Sequence, residues 1–265
     1  MKLFISADLE GVAGIVNWQE TNTESPFSKY FCEQMTQEVN AACEAAFEAG
    51  ASDIFIKDAH DSARNLNPSK LPEKIKILRG WATNPYVMMA GLDETYDGVF
   101  FIGYHSAGGT NGNPLAHTMN TRNESIKING EIASEFLINA YTSAMFKVPI
   151  LFISGDKMIC QEAQKLNPNI MILAVSEGIG NASISIHPQL ALKEIKQKVR
   201  EVVADDLSKY LIQLPDEFKV EIAFREHFHA YRGSFYPGAS QSGPKTVEFS
   251  SSGFMDVLKF LFFVL

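Results

Sequence analysis

The 265-residue chain has only three cysteines, Cys32, Cys43 and Cys160, scattered and with no CxxC pair. That excludes a disulfide framework and fits a reducing compartment, so a cytoplasmic location is expected. Basic residues are outnumbered, 23 against 31 acidic, and no basic run occurs, which removes the electrostatic footprint of a nucleic-acid partner. Long apolar runs are missing too. Met1 to Asp8 has one positive charge and a short apolar stretch before an acid, unlike the apolar core of a secretion signal. The apolar tail Phe254 to Leu265 carries Asp256 and Lys259 and falls far short of the roughly 20 residues that span a bilayer. No membrane partner is expected, and the tail reads as a packed helix with an apolar face suited to docking on another subunit. There is no Gly-x-Ser-x-Gly elbow, which argues against a serine hydrolase. The run Gly108-Gly109-Thr110-Asn111-Gly112 lacks the Lys-Ser/Thr of a phosphate loop, so it reads as a mobile active-site loop and no nucleotide cofactor is expected.

Apolar residues make up 46% of the chain, the composition of a globular protein able to bury a real core. Leu3 to Ala7 reads as a buried strand, Phe27 to Ala49 as a helix with Phe31, Met35, Val39, Ala42 and Ala46 on one face, and Ile54 to Lys57 as a second strand. Strand, helix, strand opens a parallel α/β sheet with right-handed crossovers. Further strands are expected at Lys74 to Leu78, Gly98 to Gly103, Ser125 to Ile128, Pro149 to Ile153 and Ile170 to Val175. Helices are expected from Glu131 to Ala144, Asp156 to Lys165 and Pro188 to Leu211. Phe218 to Phe224 and Thr246 to Phe249 alternate in the manner of half-exposed strands. The expected fold is a three-layer α/β/α unit over residues 1–265 with a mostly parallel central sheet, plus a smaller C-terminal α+β lobe within about 180–265.

Three expected strands finish in metal-ligand chemistry: Asp8-Leu9-Glu10, Asp58-Ala59-His60-Asp61 and His105. That rim is where open α/β sheets place their sites. In extended chain residues two apart face one way, so Asp8 and Glu10 can converge, as can Asp58 and His60. Clustered carboxylate and imidazole suit zinc and similar divalent ions, and an anionic ligand shared by two ions is how dinuclear sites hold their charges together. Asp58 and Asp61 flank His60 and can either orient its imidazole or serve as solvent-facing caps.

The opening Ser6-Ala7-Asp8-Leu9-Glu10-Gly11 resembles the signature of the D-aminopeptidase family of zinc metallopeptidases. Later landmarks recur in order: Asp58-Ala59-His60-Asp61-Ser62, Gly103-Tyr104-His105, His117-Thr118-Met119, Asn129-Gly130 with Glu135 following, and Tyr236-Pro237-Gly238 before Thr246-Val247-Glu248-Phe249. The resemblance implies a metallo-aminopeptidase that removes N-terminal residues, D-amino acids, from short peptides or amides. It further implies two zinc ions per subunit, Asp8 bridging them, with Glu10, His60, His105 and Glu135 completing the ligand set and His117 catalytic. It also implies a homo-oligomer, a ring-like decamer. Glu135 falls inside an expected helix, where a glutamate is ordinarily solvated, so its role comes from the resemblance. Val175 to Asn181 carries no basic residue, and Ser106 to Pro114 differs from the family in composition; both bear on substrate choice. Two other functions fit the same residues: a dinuclear hydrolase of another amide or ester, or a non-catalytic metal-binding assembly protein.

Overall fold

The computed structural model describes residues 1–265. Its first half runs β1 (Lys2–Ala7), α1 (Trp18–Thr21), α2 (Ser28–Glu48), β2 (Asp53–Asp58), β3 (Ile75–Leu78), β4 (Gly98–Tyr104), β5 (Asn123–Ile128) and β6 (Glu131–Ile132). Then follow α3 (Glu135–Met145), β7 (Ile150–Asp156), α4 (Lys157–Leu166), β8 (Met171–Ile179), β9 (Ala182–Ser185) and α5 (Pro188–Val203). The chain closes with β10 (Phe218–Phe224), α6 (His227–Gly233), β11 (Ser240–Gly243), β12 (Thr246–Ser251) and α7 (Phe254–Val264).

One sheet has the order β3-β2-β1-β4-β7-β8-β9, parallel except for the β8–β9 hairpin. Its central strands β4 and β7 are buried along their whole length, which is why both read as unbroken apolar runs and not as alternation. Helices cover both faces. On one face α2 turns Met35, Val39, Ala42 and Ala46 inward, and α5 adds Ala191, Ile195, Val199 and Val202 at helical spacing. On the other, α3 and α4 contribute Phe136, Ala140, Ile159 and Ala163 against Phe4, Phe101 and Ile153. The second sheet, β11-β12-β10-β5-β6, is antiparallel, and β10 alternates buried and open positions. Its covered face packs with α7 and the far side of α3, through Leu137, Ile138, Val257 and Leu261. The architecture is therefore the three-layer α/β/α unit with a smaller α+β lobe, and the lobe's sheet also takes β5 and β6 from mid-chain.

Two helix boundaries differ from the sequence reading by about a turn or more. The helix expected from Glu131 starts only at Glu135, because Asn129 and Gly130, with φ of 54° and 86°, make a two-residue hairpin that pairs β6 back onto β5. The helix expected to reach Leu211 stops at Val203. Asp205 and Asp206 oppose the negative end of the helix dipole, and Asp206 instead accepts from the Ser208 N–H at 3.0 Å to start a 3-10 turn. No helix is long and apolar enough to cross a membrane.

Candidate metal centre

Register brings the strand ends together. Ala7 of β1 pairs with Asp58 of β2 on one side and Ile102 of β4 on the other, so the residues that follow each strand leave the sheet at one level. Beyond the strand, the Asp8 N–H donates to Ile102 O (2.8 Å) and the Gly11 N–H to Gly103 O (2.9 Å). This close approach requires glycine: a Cβ on Gly11 would lie 1.8 Å from Tyr104 O, and Gly103 has φ of +72° with its missing Cβ 2.3 Å from Asp8 O.

Asp8 and Glu10 consequently face one point, where His60 and His105 meet them. His60 Nδ1 lies 3.3 Å from Asp8 Oδ1 and 2.9 Å from Glu10 Oε2, while His105 Nε2 lies 3.5 Å from Asp8 Oδ2 and 3.7 Å from Glu135 Oε2. Glu135 is the first residue of α3, not an interior one. Ser134 caps the helix by accepting from the Leu137 N–H at 3.0 Å, and the positive end of the dipole suits a carboxylate there. Ser134 in turn donates to Glu162 Oε1 at 2.6 Å. Glu135 Oε1 accepts from the Met119 N–H at 2.7 Å and lies 3.6 Å from His117 Nε2.

Each imidazole is held on its far side by a backbone carbonyl: His60 Nε2 by Thr21 O, His105 Nδ1 by Ser106 O and His117 Nδ1 by Leu115 O, all at 2.9 Å. A ring nitrogen that meets a carbonyl carries a proton, which leaves the other nitrogen to face the carboxylates. His117 also stacks on His105 with ring centres 4.5 Å apart and meets the edge of Trp18.

Three buried carboxylates cannot all stay charged without compensation. Burial, and then the charge of Glu10, push the Asp8 carboxyl up to about 8. Burial acts upward on Glu10 as well, but His60 beside it overcomes this and holds Glu10 well below the usual range. Burial opposes charge on both imidazoles, yet Glu10 and Asp8 hold His60 well above its ordinary value, and Glu135, Glu10 and Asp8 lift His105 to about 9. Protons thus stand where a cation would serve. The buried side-chain atoms without a hydrogen-bond partner include Asp8 Oδ2 and His105 Nε2, both turned to this one point. Donor atoms within 4.8 Å of one another form the groups Asp8-Glu10-His60, Asp8-His105-Glu135 and Glu10-His105-His117. The donor chemistry and the orphaned atoms fit a divalent cation.

Asp58 does not orient His60. Its oxygens accept from Asn65 N (2.6 Å), Asn65 Nδ2 (2.9 Å) and Leu66 N (2.8 Å), closing the turn after β2, and Asn65 Nδ2 continues to His60 O at 2.6 Å. Asp61, with φ of 42°, uses its carbonyl to accept from Trp81 Nε1 at 2.7 Å. The loop after His105 is pinned: Asp156 accepts from Ser106 N (2.6 Å) and Ser106 Oγ (2.5 Å), and Asn113 Nδ2 donates to Glu10 O at 3.1 Å. The run Gly108 to Gly112 is thus anchored on either side, at Ser106 and Asn113, behind the ligands.

The centre opens into a cavity of about 800 Å³ whose walls include Trp18, Arg64, Trp81 and Met119 besides Asp8, Glu10, His60, His117 and Glu135. Sequence reasoning missed these wall residues, although a signal existed: the chain has 2 tryptophans and both stand here. Lys57 Nζ lies 4.2 Å from the centre of the Trp81 ring and donates to Gly80 O, steadying that wall from beneath.

A ligand cavity outside the carboxyl ends of parallel strands, lined by convergent carboxylates and imidazoles, marks the metal-dependent hydrolases. A family model described as D-aminopeptidase matches residues 1–263, and the chain belongs to that family, whose members hydrolyse peptide bonds. A D-aminopeptidase of Bacillus subtilis (strain 168) is 28% identical over 260 residues, 97% of this chain and 93% of that relative. Among solved structures, the Zn-dependent D-aminopeptidase DppA from Bacillus subtilis, described as a self-compartmentalizing protease, superposes with a TM-score of 0.93 at 26% identity. The match covers 100% of this chain and 96% of that one.

Proposed function

We propose that this protein is a zinc-dependent aminopeptidase that removes the N-terminal residue, a D-amino acid, from short peptides or amides, using two metal ions per chain. The observation that carries the proposal is the pair of donor groups Asp8-Glu10-His60 and Asp8-His105-Glu135, which share Asp8. Asp8 would bridge, Glu10 and His60 would complete one ligand set, and His105 and Glu135 the other. Bound there, the ions would bring the ionisation of water toward neutral pH and polarise the scissile carbonyl.

The remaining work falls to the chain itself. His60 and His105, each held by a backbone carbonyl, present one bare nitrogen once their extra proton is released, so loading with metal should liberate protons. His117 is the outermost of the three imidazoles, with its side chain 15% exposed, and faces the cavity through Nε2. Ligands already serve both ions, so we assign His117 to catalysis: moving a proton to the leaving amine or stabilising the developing oxyanion. Its presence in the group Glu10-His105-His117 makes direct metal binding the competing role. The solved relative described as self-compartmentalizing supports assembly of this chain into a closed homo-oligomer, for which the family resemblance implies a decamer.

Metal analysis joined to a panel of D- and L-aminoacyl amides and dipeptides tests the proposal. Close to two zinc ions per chain and turnover of the D-series are expected, with Asp8→Ala losing both ions together. One ion at saturation sinks the dinuclear reading, and turnover confined to another amide or ester replaces the substrate assignment.

A further inference from the structure

A second cavity, of about 200 Å³, opens beside the first and shares Trp81, Val87, Met119 and Asn120 with it. Its other walls include Ile138, Leu258, Leu261 and Phe262, and no charged side chain lines it. Its asparagines are each engaged through one atom: Asn139 Nδ2 donates to Tyr104 Oη (2.9 Å), Asn84 Oδ1 accepts from Tyr86 N (3.1 Å) and Asn120 Oδ1 from Arg122 N (2.8 Å). What faces the bay is mostly hydrocarbon.

Its position relative to the metal centre follows from one helix. Glu135, Ile138 and Asn139 are spaced i, i+3 and i+4 on α3, so they share a face, and the bay lies one turn, about 5 Å, along the axis from the carboxylate. Met119 spans the same gap from the other side, since its N–H binds Glu135 Oε1 while the residue lines both cavities. That separation is about the distance between a peptide's reacting carbonyl and the body of its own side chain. Backbone strain gathers at this junction as well. Thr83, Val87 and Met119 all have positive φ, of 51°, 46° and 65°. Thr83 and Val87 are β-branched, for which the left-handed region is strongly disfavoured. Strain of this kind persists where the surrounding structure enforces it, and here it forms the lip of the bay.

We infer that the bay is the side-chain subsite of the enzyme, built for an uncharged apolar side chain of leucine to phenylalanine size on the residue bound at the metal centre. The inference rests on the aminopeptidase reading of that centre. Burying such a side chain in a preformed apolar bay should raise kcat/KM about 10- to 100-fold over alanine.

The test is kcat/KM of the zinc-loaded protein across the amides of D-alanine, D-leucine, D-phenylalanine and D-aspartate, with Leu261→Trp filling the bay and Leu258→Ala enlarging it. Leucine and phenylalanine amides should lead alanine by that factor and aspartate amide should trail it. Leu261→Trp should abolish the lead, and Leu258→Ala should shift the optimum toward D-tryptophan amide, which keeps the test open if the tryptophan variant misfolds. A flat series from an active enzyme, as a bay plugged by a neighbouring copy would give, overturns the inference while leaving the aminopeptidase intact. Should no amide be hydrolysed, the aminopeptidase reading fails instead. Calorimetric titration with free D-phenylalanine and D-alanine then judges the bay alone: tighter phenylalanine supports it, and equal affinities overturn it.

Discussion

Glu38 offers a quantitative test of how the ligand loop is braced. It lies fully buried on α2, where its Oε1 accepts from the Ala13 N–H (3.1 Å), in the loop after Glu10, and from Gln34 Nε2 (3.0 Å). Its Oε2 is buried without a partner, and burial pushes the carboxyl from an ordinary 4.5 up to about 7. An acid whose folded pKa is raised contributes stability that is fully present below the unfolded value and is lost as pH rises through the folded one. The window is therefore about pH 4.5 to 7, with the loss complete near pH 8. At roughly 1.4 kcal/mol per pH unit, the ionised carboxylate costs up to about 3 kcal/mol, and about 2 is expected once local relaxation is allowed for. Glu38→Gln keeps the acceptor for both donors and cannot ionise. Urea unfolding of both proteins at pH 5 and pH 9 gives the difference directly, because every other titrating group cancels between them. The variant should match wild type at pH 5 and exceed it by about 2 kcal/mol at pH 9. A gap of the same size at both pH values would refute the reasoning, for it would mean that Glu38 is charged throughout or reaches solvent.

His117→Ala should retain its metal and its solution mass while turnover falls by roughly 10²–10⁴-fold, the usual worth of general acid-base help; loss of one ion on metal analysis would make His117 a ligand instead. Gly11→Ala should destabilise the protein by several kcal/mol or prevent folding, on the order of the largest single-residue effects, since its Cβ would meet Tyr104 O at 1.8 Å. An unchanged thermal midpoint in that variant would show that β1 and β4 can part without loss.

How legible the site was depended on what carries each residue. Asp8, Glu10, His60 and His105 follow the ends of short apolar runs, and in a parallel sheet those ends are brought level by hydrogen-bond register, so the linear pattern maps onto space. Glu135 depends on a different device. Asn129-Gly130 is a hairpin signal in plain view, yet the apolar spacing from Glu131 onward reads as continuous helix, which hides that Glu135 is a helix start and not a solvated interior position. Asp58 and Asp61 stand beside His60 in sequence but are drawn into the turn by Asn65, Leu66 and Trp81. The cavity walls were the least legible. Trp18, Trp81 with Val87, and the α7 residues come from three separate segments, and no local pattern links positions joined only by packing.

The placement of α3 carries one more consequence. Phe136 and Ala140 on one flank belong to the core beneath the parallel sheet, while Leu137 and Ile138 on the other belong to the core of the antiparallel lobe. The helix is a keystone between two bodies, and the carboxylate at its tip is the one proposed ligand that does not ride on the parallel sheet. Under the proposed ligation an ion held by Asp8 and Glu135 would clasp the seam between those bodies, and its binding free energy would be spent on their docking as well as on the centre itself. Stripped of that ion, the molecule would keep both cores and lose the rivet between them.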